Sequence, residues 1–295
     1  MPSLSFDPAA QFYDATRGYP DDVVLKIAQS IDVAALGTPQ TAYLEVGVGT
    51  GRIALPLASL GRTYTGADIS EKMLAQLEAK LQAAGWQQRA ASPWGSLPDE
   101  QPADPASDFA VRRFQKTPAS LRLIVSDIKQ LPFHDHSFDA VVAVHIFHLV
   151  DGWEQALQEV MRVLRPGGRL LQCWDTYEAD AITEIINAKW RGFIQELGGD
   201  TRRPGVSTRA IKHWLLEHGF QTEDELTLGW PQQVVPRKVI DMIAQRYWSN
   251  SWQISDDIFT PSIERLRSWA LEYFGPNIDV AQTQERRFFI STTIF

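Results

Sequence analysis

The chain has 295 residues, 44% of them hydrophobic and 22% charged, a length and balance that allow one large buried core or two modest ones. With 28 Lys and Arg against 36 Asp and Glu its formal net charge is −8, which disfavours nucleic-acid phosphates as default partners. A single cysteine, Cys173, excludes an intramolecular disulfide and thiolate-rich zinc sites.

The opening MPSLSFDPAAQFYD lacks a basic region followed by an apolar stretch, so no signal peptide is expected. Pro20 and Asp21 then start an amphipathic helix through Val23, Val24, Ile27 and Ile31, which ends before Gly37 and Pro39. AYLEVGV reads as a buried strand and RIALPLASLG as a helix. YTGADIS is a second strand and turn, with Ser70 as N-cap of a helix through Met73, Leu74, Leu77 and Leu81. Trp86 to Ser120 carries Pro93, Pro98, Pro102, Pro105 and Pro118, and reads as an irregular insertion. Because it joins a helix to a strand, it is expected at the strands' N-terminal edge, away from ligands, with Arg112, Arg113 and Lys116 solvated.

LRLIVSD is a third strand and FDAVVAV a fourth, the latter continuously apolar as for a strand covered on both faces. The helix WEQALQEVMRVL and the strand GRLLQCWD follow. The most apolar run, AVVAVHIFHLV, is too short to cross a bilayer, so no membrane partner and a cytoplasmic location are expected. Further helices read at 179–197, 208–218, 236–247 and 261–274, with a strand around 223–229 and a closing strand in ERRFFISTTIF. Strands alternating with helices imply an α/β, doubly wound, mostly parallel sheet, here of seven strands with helical cap additions. One domain over 1–295 is expected: a ligand-binding half at 40–175, the insertion at 86–120, substrate-side helices with one core strand at 176–287, and a last strand at 285–295.

The chemistry concentrates in YLEVGVGTGR. A dinucleotide fingerprint would need glycine where Arg52 stands, and a phosphate loop would need Gly-Lys followed by Ser or Thr. The pattern is instead E-x-G-x-G-x-G. Asp68 ends the second strand, where a carboxylate can accept from both hydroxyls of a ribose. Asp127 ends the third, where it can accept from an adenine amino group while the Ile128 amide donates to a ring nitrogen. Helix capping would explain either Asp alone. The convergence of three strand ends on one sheet edge favours a ligand.

EVGVGTG, ADIS, SDIKQLPF, FDAVVAVHIFHLV and ALQEVMRVLRPGGRLL resemble successive motifs of the class I S-adenosylmethionine-dependent methyltransferases, and are most similar to the small-molecule branch that serves ubiquinone and menaquinone biosynthesis. The resemblance covers Ala42 to Trp174 apart from the insertion, and implies a Rossmann-like sheet. It also implies S-adenosylmethionine as cofactor, S-adenosylhomocysteine as product, and in-line methyl displacement onto a small acceptor. By the same resemblance Glu45 and Gly47 lie by the methionyl part, and Gly49 and Gly51, with Thr50 between them, allow close backbone approach. Asp68 holds the ribose, Ile69 and Met73 pack near the adenine, and Asp127 and Ile128 read its edge. Val144 and His145 stand beside the sulfonium. Tyr13 and Arg17 lie in FYDATRGYP, a segment that closes over the site in many such enzymes, although a helix lead-in explains it equally.

No catalytic residue follows from the sequence. A general base is needed only where the acceptor must lose a proton. His145 is the candidate, with His148 beside it, yet family members carry a histidine in this run without using it so. No metal set is expected, since neither this pair nor His134 and His136 has supporting ligands. Trp190, Trp248, Trp252 and Trp269 on the later helices suggest an apolar or aromatic acceptor, and core packing explains them as well. The rivals are a non-catalytic module that binds an adenosyl ligand and a nicotinamide-dependent oxidoreductase.

Overall fold

The structure is a computed structural model and describes residues 6, 7, 10, 13–93 and 110–295. Much of the opening segment and the middle of the proline-rich insertion, 94–109, therefore lie outside the described residues. The chain divides into two compact units where the sequence suggests one domain. The first comprises Met1–Trp174, Pro204–Thr227 and Phe289–Phe295, the second Asp175–Arg203 and Leu228–Phe288. Three of the four boundaries fall inside strands of 13 or 14 residues, and the fourth falls between Arg203 and Pro204.

The strands are β1 (Ala42–Val46), β2 (Thr63–Asp68), β3 (Gln87–Pro93), β4 (Ala110–Lys116), β5 (Ala119–Val125), β6 (Phe138–Val144), β7 (Leu164–Tyr177), β8 (Thr222–Val234) and β9 (Gln282–Ile294). They form one sheet in the order β3-β4-β5-β2-β1-β6-β7-β9-β8. The five central neighbours β5, β2, β1, β6 and β7 pair in parallel. Phe295 exchanges backbone hydrogen bonds with Gly167 and Gly168, so β9 ends where β7 begins and runs against it. The apolar run in β6 is covered on both faces, as its composition requires: Ala140, Val141 and Val142 are all fully buried.

Nine described strands stand where seven are expected, and the two extra ones come from the segment read as irregular. β3 pairs antiparallel with β4, and β4 antiparallel with β5. This corrects the placement of the insertion too. Arg112 is level with Leu123, and Pro93 with Ala110, so the inner ends of this strand pair stand near the carboxyl end of β5. One strand climbs the sheet and one descends, which a connection confined to the lower edge would not do. The cations expected to be solvated have structural partners. Arg112 pairs with Glu71 and Glu78, Arg113 is buried, and Lys116 donates to the Ala84 carbonyl at 2.8 Å.

Helices pack on this sheet through their apolar stripes. In α1 (Tyr13–Arg17) no residue is buried, whereas α2 (Asp21–Ala34) buries Val23, Ile27 and Ile31 at four-residue spacing. After the short α3 (Ala54–Ala58), α4 (Glu71–Ala83) buries Met73, Leu74, Leu77 and Leu81, and α5 (Trp153–Val163) buries Ala156, Leu157, Val160 and Val163. α7 (Thr208–Glu217) adds Ile211 and Leu215 to the same core as α5.

The second unit has its own core beneath α6 (Ile182–Glu196), α8 (Pro236–Ala244) and α9 (Asp256–Phe274). Trp190 is fully buried there and donates from Nε1 to Ser262 Oγ at 3.0 Å. Trp252 donates to the Arg246 carbonyl at 2.7 Å, Trp269 stacks on Tyr273, and Trp248 packs against the cluster. All four tryptophans thus have packing partners inside this unit. α9 begins five residues before Pro261, because Asp256 and Asp257 supply its acidic first turn. Among the described residues no helix is long and apolar enough to cross a membrane.

One ion pair ties α2 to the sheet. Arg62 donates from Nε and Nη2 to the two oxygens of Asp32 at 2.8 and 2.6 Å, and Tyr43 adds its hydroxyl at 2.7 Å. Both charged side chains are mostly buried, at 14% and 15% exposure, and the Arg62 guanidinium holds the Asp32 carboxyl below its ordinary range. Asp32→Asn is expected to cost about 1–3 kcal/mol at pH 7. The contribution of the ionised carboxylate is present above the ordinary Asp value of about 3.9 and is lost as pH falls through the lower folded-state value. Denaturant unfolding at pH 7 and pH 3 should therefore show the variant's deficit shrinking in acid. An equal deficit at both would contradict this account.

Candidate active site

The turn after β1 is built from residues that no side chain could replace cheaply. Gly47 and Gly49 have φ of +72° and +55°, in the left-handed region. A Cβ on Gly47 would stand 2.5 Å from Ile146 Cδ1, and one on Gly49 would stand 3.2 Å from Met73 Cε. The Gly47 and Val48 amides donate to the Ala67 carbonyl at 2.8 and 3.1 Å, which pins the loop to the end of β2.

Asp68 is the junction of this edge. Its Oδ2 accepts from the Gly49 amide and its Oδ1 from the Ser70 amide, each at 2.8 Å. Ser70 in turn caps α4 by accepting from the Met73 amide at 3.1 Å. Burial raises the Asp68 carboxyl above its ordinary value, the two amides oppose that rise, and nearby Asp7 adds to it. Each carboxylate oxygen keeps a lone pair beyond the amide it already accepts. The Ser126 amide donates to the Asp68 carbonyl at 3.0 Å, which brings the end of β5 alongside. Asp127 accepts there from the Lys129 amide at 2.9 Å, with the Lys129 ammonium 3.7 Å from its other oxygen.

From the far side, β6 delivers His145 in a left-handed conformation (φ +51°), with its amide donating to the Cys173 carbonyl at 3.1 Å. The N-terminal segment closes the ring of contacts. Asp14 accepts from Thr50 Oγ1 at 2.6 Å and pairs with Lys80 at 2.8 Å. Arg52 donates to the Arg17 carbonyl at 2.6 Å and lies over the Tyr19 ring. The Arg17 guanidinium lies over the rings of Tyr13 and Phe6 at 5.4 and 5.7 Å.

One cleft of about 790 Å³, its open mouth included, results at the carboxyl ends of these strands. Of the sequence candidates, Tyr13, Arg17, Gly47, Gly49, Asp68, Ile69, Met73, Asp127, Ile128, Val144 and His145 line it together. Ile69, a large apolar side chain, is 44% exposed. Three candidates stand behind the wall: the Thr50 hydroxyl is turned to Asp14, Gly51 packs against Leu77, and Glu45 is buried. The cleft also takes in Phe6, Ser126, Ile146, Leu149 and Val150, which the motifs do not single out, and His148.

Glu45 alternates with Leu44 and Val46 in a strand covered on both faces, so its carboxyl has no route to solvent. Tyr64 donates to it at 2.9 Å. Burial pushes its pKa up to about 8, against the lowering effects of that hydrogen bond and of the Arg52 charge. Between about pH 4.3 and that value the folded state retains a proton that the unfolded chain has released, so stability falls as pH rises. Glu45→Gln is expected to flatten this slope between pH 5 and pH 8 in denaturant titrations. A slope unchanged by the substitution would contradict the assignment.

Two family models, each described as a methyltransferase domain, match residues 44–100 and 101–172. An uncharacterized methyltransferase of Mycobacterium tuberculosis is 26% identical over 90% of this chain and 85% of its own length. The mitochondrial 2-methoxy-6-polyprenyl-1,4-benzoquinol methylase of Bos taurus is 28% identical over 65% of this chain and 64% of its own. Among solved structures, the YcgJ protein of Bacillus subtilis shares the fold, with a TM-score of 0.54 at 16% identity, covering 90% of this chain and 97% of its own. The two domain matches together span the strand ends that build the cleft. Residues 44–172 thus form a methyltransferase domain, and these matches support a class I S-adenosylmethionine-dependent methyltransferase.

Proposed function

We propose that this cleft holds S-adenosylmethionine and presents its methyl group to a small-molecule acceptor. The observation that carries the reading is the Asp68 carboxylate, fixed by two backbone amides on the cleft wall beside the bare backbone of Gly47 and Gly49. A ribose offers two adjacent hydroxyls to such a carboxylate. The exposed face of Ile69 and the Met73 side chain suit the adenine, and Asp127 with the Ile128 amide suits its polar edge. Gly47 and Gly49 let the methionyl part approach the backbone, and Val144 and His145 flank the reacting end. Tyr13 and Arg17 cover it. Glu45, Thr50 and Gly51 act from behind, by shaping the loop. When bound, S-adenosylmethionine supplies a methyl carbon already activated by its sulfonium leaving group. What remains for the chain is to align the acceptor and exclude water, an effect worth roughly 7–11 kcal/mol in favourable cases.

Three observations favour a small acceptor. The net charge of −8 opposes nucleic acid. The walls toward β6 are chiefly apolar, with Val144, Ile146, Leu149 and Val150. The bovine relative is named for methylation of a benzoquinol.

Asp68→Ala removes hydrogen-bond acceptors for the ribose and for two amides. Calorimetric titration with S-adenosylhomocysteine is expected to show a Kd weakened about 10–100-fold, the size of a charged hydrogen-bond loss. An unchanged Kd would remove Asp68 from the site. Tight binding of a nicotinamide dinucleotide with no binding of either adenosyl ligand would overturn the reading itself.

A further inference from the structure

The cleft has two chemically different ends. Toward β2 and β5 its charged side chains are acidic, Asp68 and Asp127. Toward β6 it is lined by two imidazoles, His145 and His148, whose rings stand 6.2 Å apart and nearly perpendicular, at 86°. β1 lies between β2 and β6 in the sheet, so the glycine loop separates the two ends. If the acidic end takes the ribose and adenine, the imidazole end faces the atom that receives the methyl group.

The imidazole end is held against a cost. A left-handed backbone disfavours a residue such as His145 by roughly 1–2 kcal/mol. The turn that follows is fixed from behind. The Gly205 and Val206 amides donate to the carbonyls of His148 and Phe147 at 3.2 and 3.3 Å, and a Cβ on Gly205 would stand 1.9 Å from the Phe147 carbonyl oxygen.

We propose that His145 and His148 are the proton-accepting pair of this enzyme, and that its acceptor is a phenolic or enolic hydroxyl compound. The proposal rests on the placement of the cofactor given above. One imidazole takes the hydroxyl proton as the O–CH₃ bond forms, while the S–CH₃ bond breaks and leaves its electron pair on sulfur. The positive charge that the sulfonium carried ends on the imidazolium, so the cleft's net charge is unchanged. Before transfer, that same charge keeps the imidazoles neutral, the form a base needs. A phenol, with a pKa near 10, is within reach of an imidazole base. The Arg17 guanidinium in the same cleft favours a developing oxyanion and disfavours an ammonium-bearing acceptor. Arg17 on α1, Asp68 at the end of β2 and Asp127 after β5 are the charged groups that share the cleft with the pair.

Nitrogen-15 NMR titration of the histidines in the intact chain tests the placement without an acceptor. The His145 and His148 midpoints are expected at least about half a pH unit lower with S-adenosylmethionine than with neutral S-adenosylhomocysteine. Equal midpoints with both ligands would overturn the proposal, whereas failure to bind either ligand would overturn the cofactor reading instead. Transfer of labelled methyl to catechol and 2-methoxyhydroquinone tests the acceptor class, with dimethylethanolamine, an ammonium at neutral pH, as the acceptor expected to stay unmethylated. The phenols should be methylated with an acidic limb in kcat that His145→Asn and His148→Gln lower or abolish, with the S-adenosylhomocysteine Kd of His148→Gln within about threefold. Asn is chosen because it tolerates the left-handed backbone. No transfer to either phenol would overturn the acceptor class, and an acidic limb intact in both variants would overturn the role of the pair.

Discussion

The Gly49 amide donates to Asp68 across the gap between the first two strands, and most of the cleft hangs from that hydrogen bond. Together with the Gly47 and Val48 amides on the Ala67 carbonyl, it fixes the glycine loop against the end of β2. The other oxygen of the same carboxylate accepts from Ser70, which caps α4, so loop, strand end and helix start share one anchor. The Asp68 carbonyl receives the Ser126 amide and brings in the end of β5. A carboxylate with this many fixed neighbours has little freedom left to lose on binding, which is what preorganisation requires.

The N-terminal segment is held to the same anchor from above. Asp14 accepts from Thr50 within the loop and pairs with Lys80 of α4, while Arg52 reaches the Arg17 carbonyl. Thr50 and Arg52 therefore serve the site without lining it. Arg52 occupies the position where a dinucleotide loop has its third glycine. Its side chain is spent on the Arg17 carbonyl and the Tyr19 ring, which gives the departure from that fingerprint a structural use.

Much of this edge is legible in the sequence because its constraints are local. A backbone at positive φ needs bare residues, so Gly47 and Gly49 stand out, and acidic residues at strand ends mark Asp68 and Asp127. The apolar run of β6 announces a strand covered on both faces. What is hidden depends on distant pairings. Phe6 carries no local signal, and its place on the cleft follows from contacts with Tyr13 and Arg17. Glu45 reads as a ligand group by its motif, but strand alternation on a sheet covered on both sides turns it into the interior. The prolines between Trp86 and Ser120 conceal two strands, because register with β5 organises them more than their own composition does. The second unit is equally obscure, since three of its four boundaries fall within continuous strands.

A crystal structure of the intact chain with S-adenosylhomocysteine is the decisive measurement. The ribose hydroxyls are expected on Asp68, the adenine between Ile69 and Ile128, and the sulfur turned toward His145 and His148. An adenosyl group bound away from Asp68, or a sulfur facing away from both imidazoles, would contradict this placement.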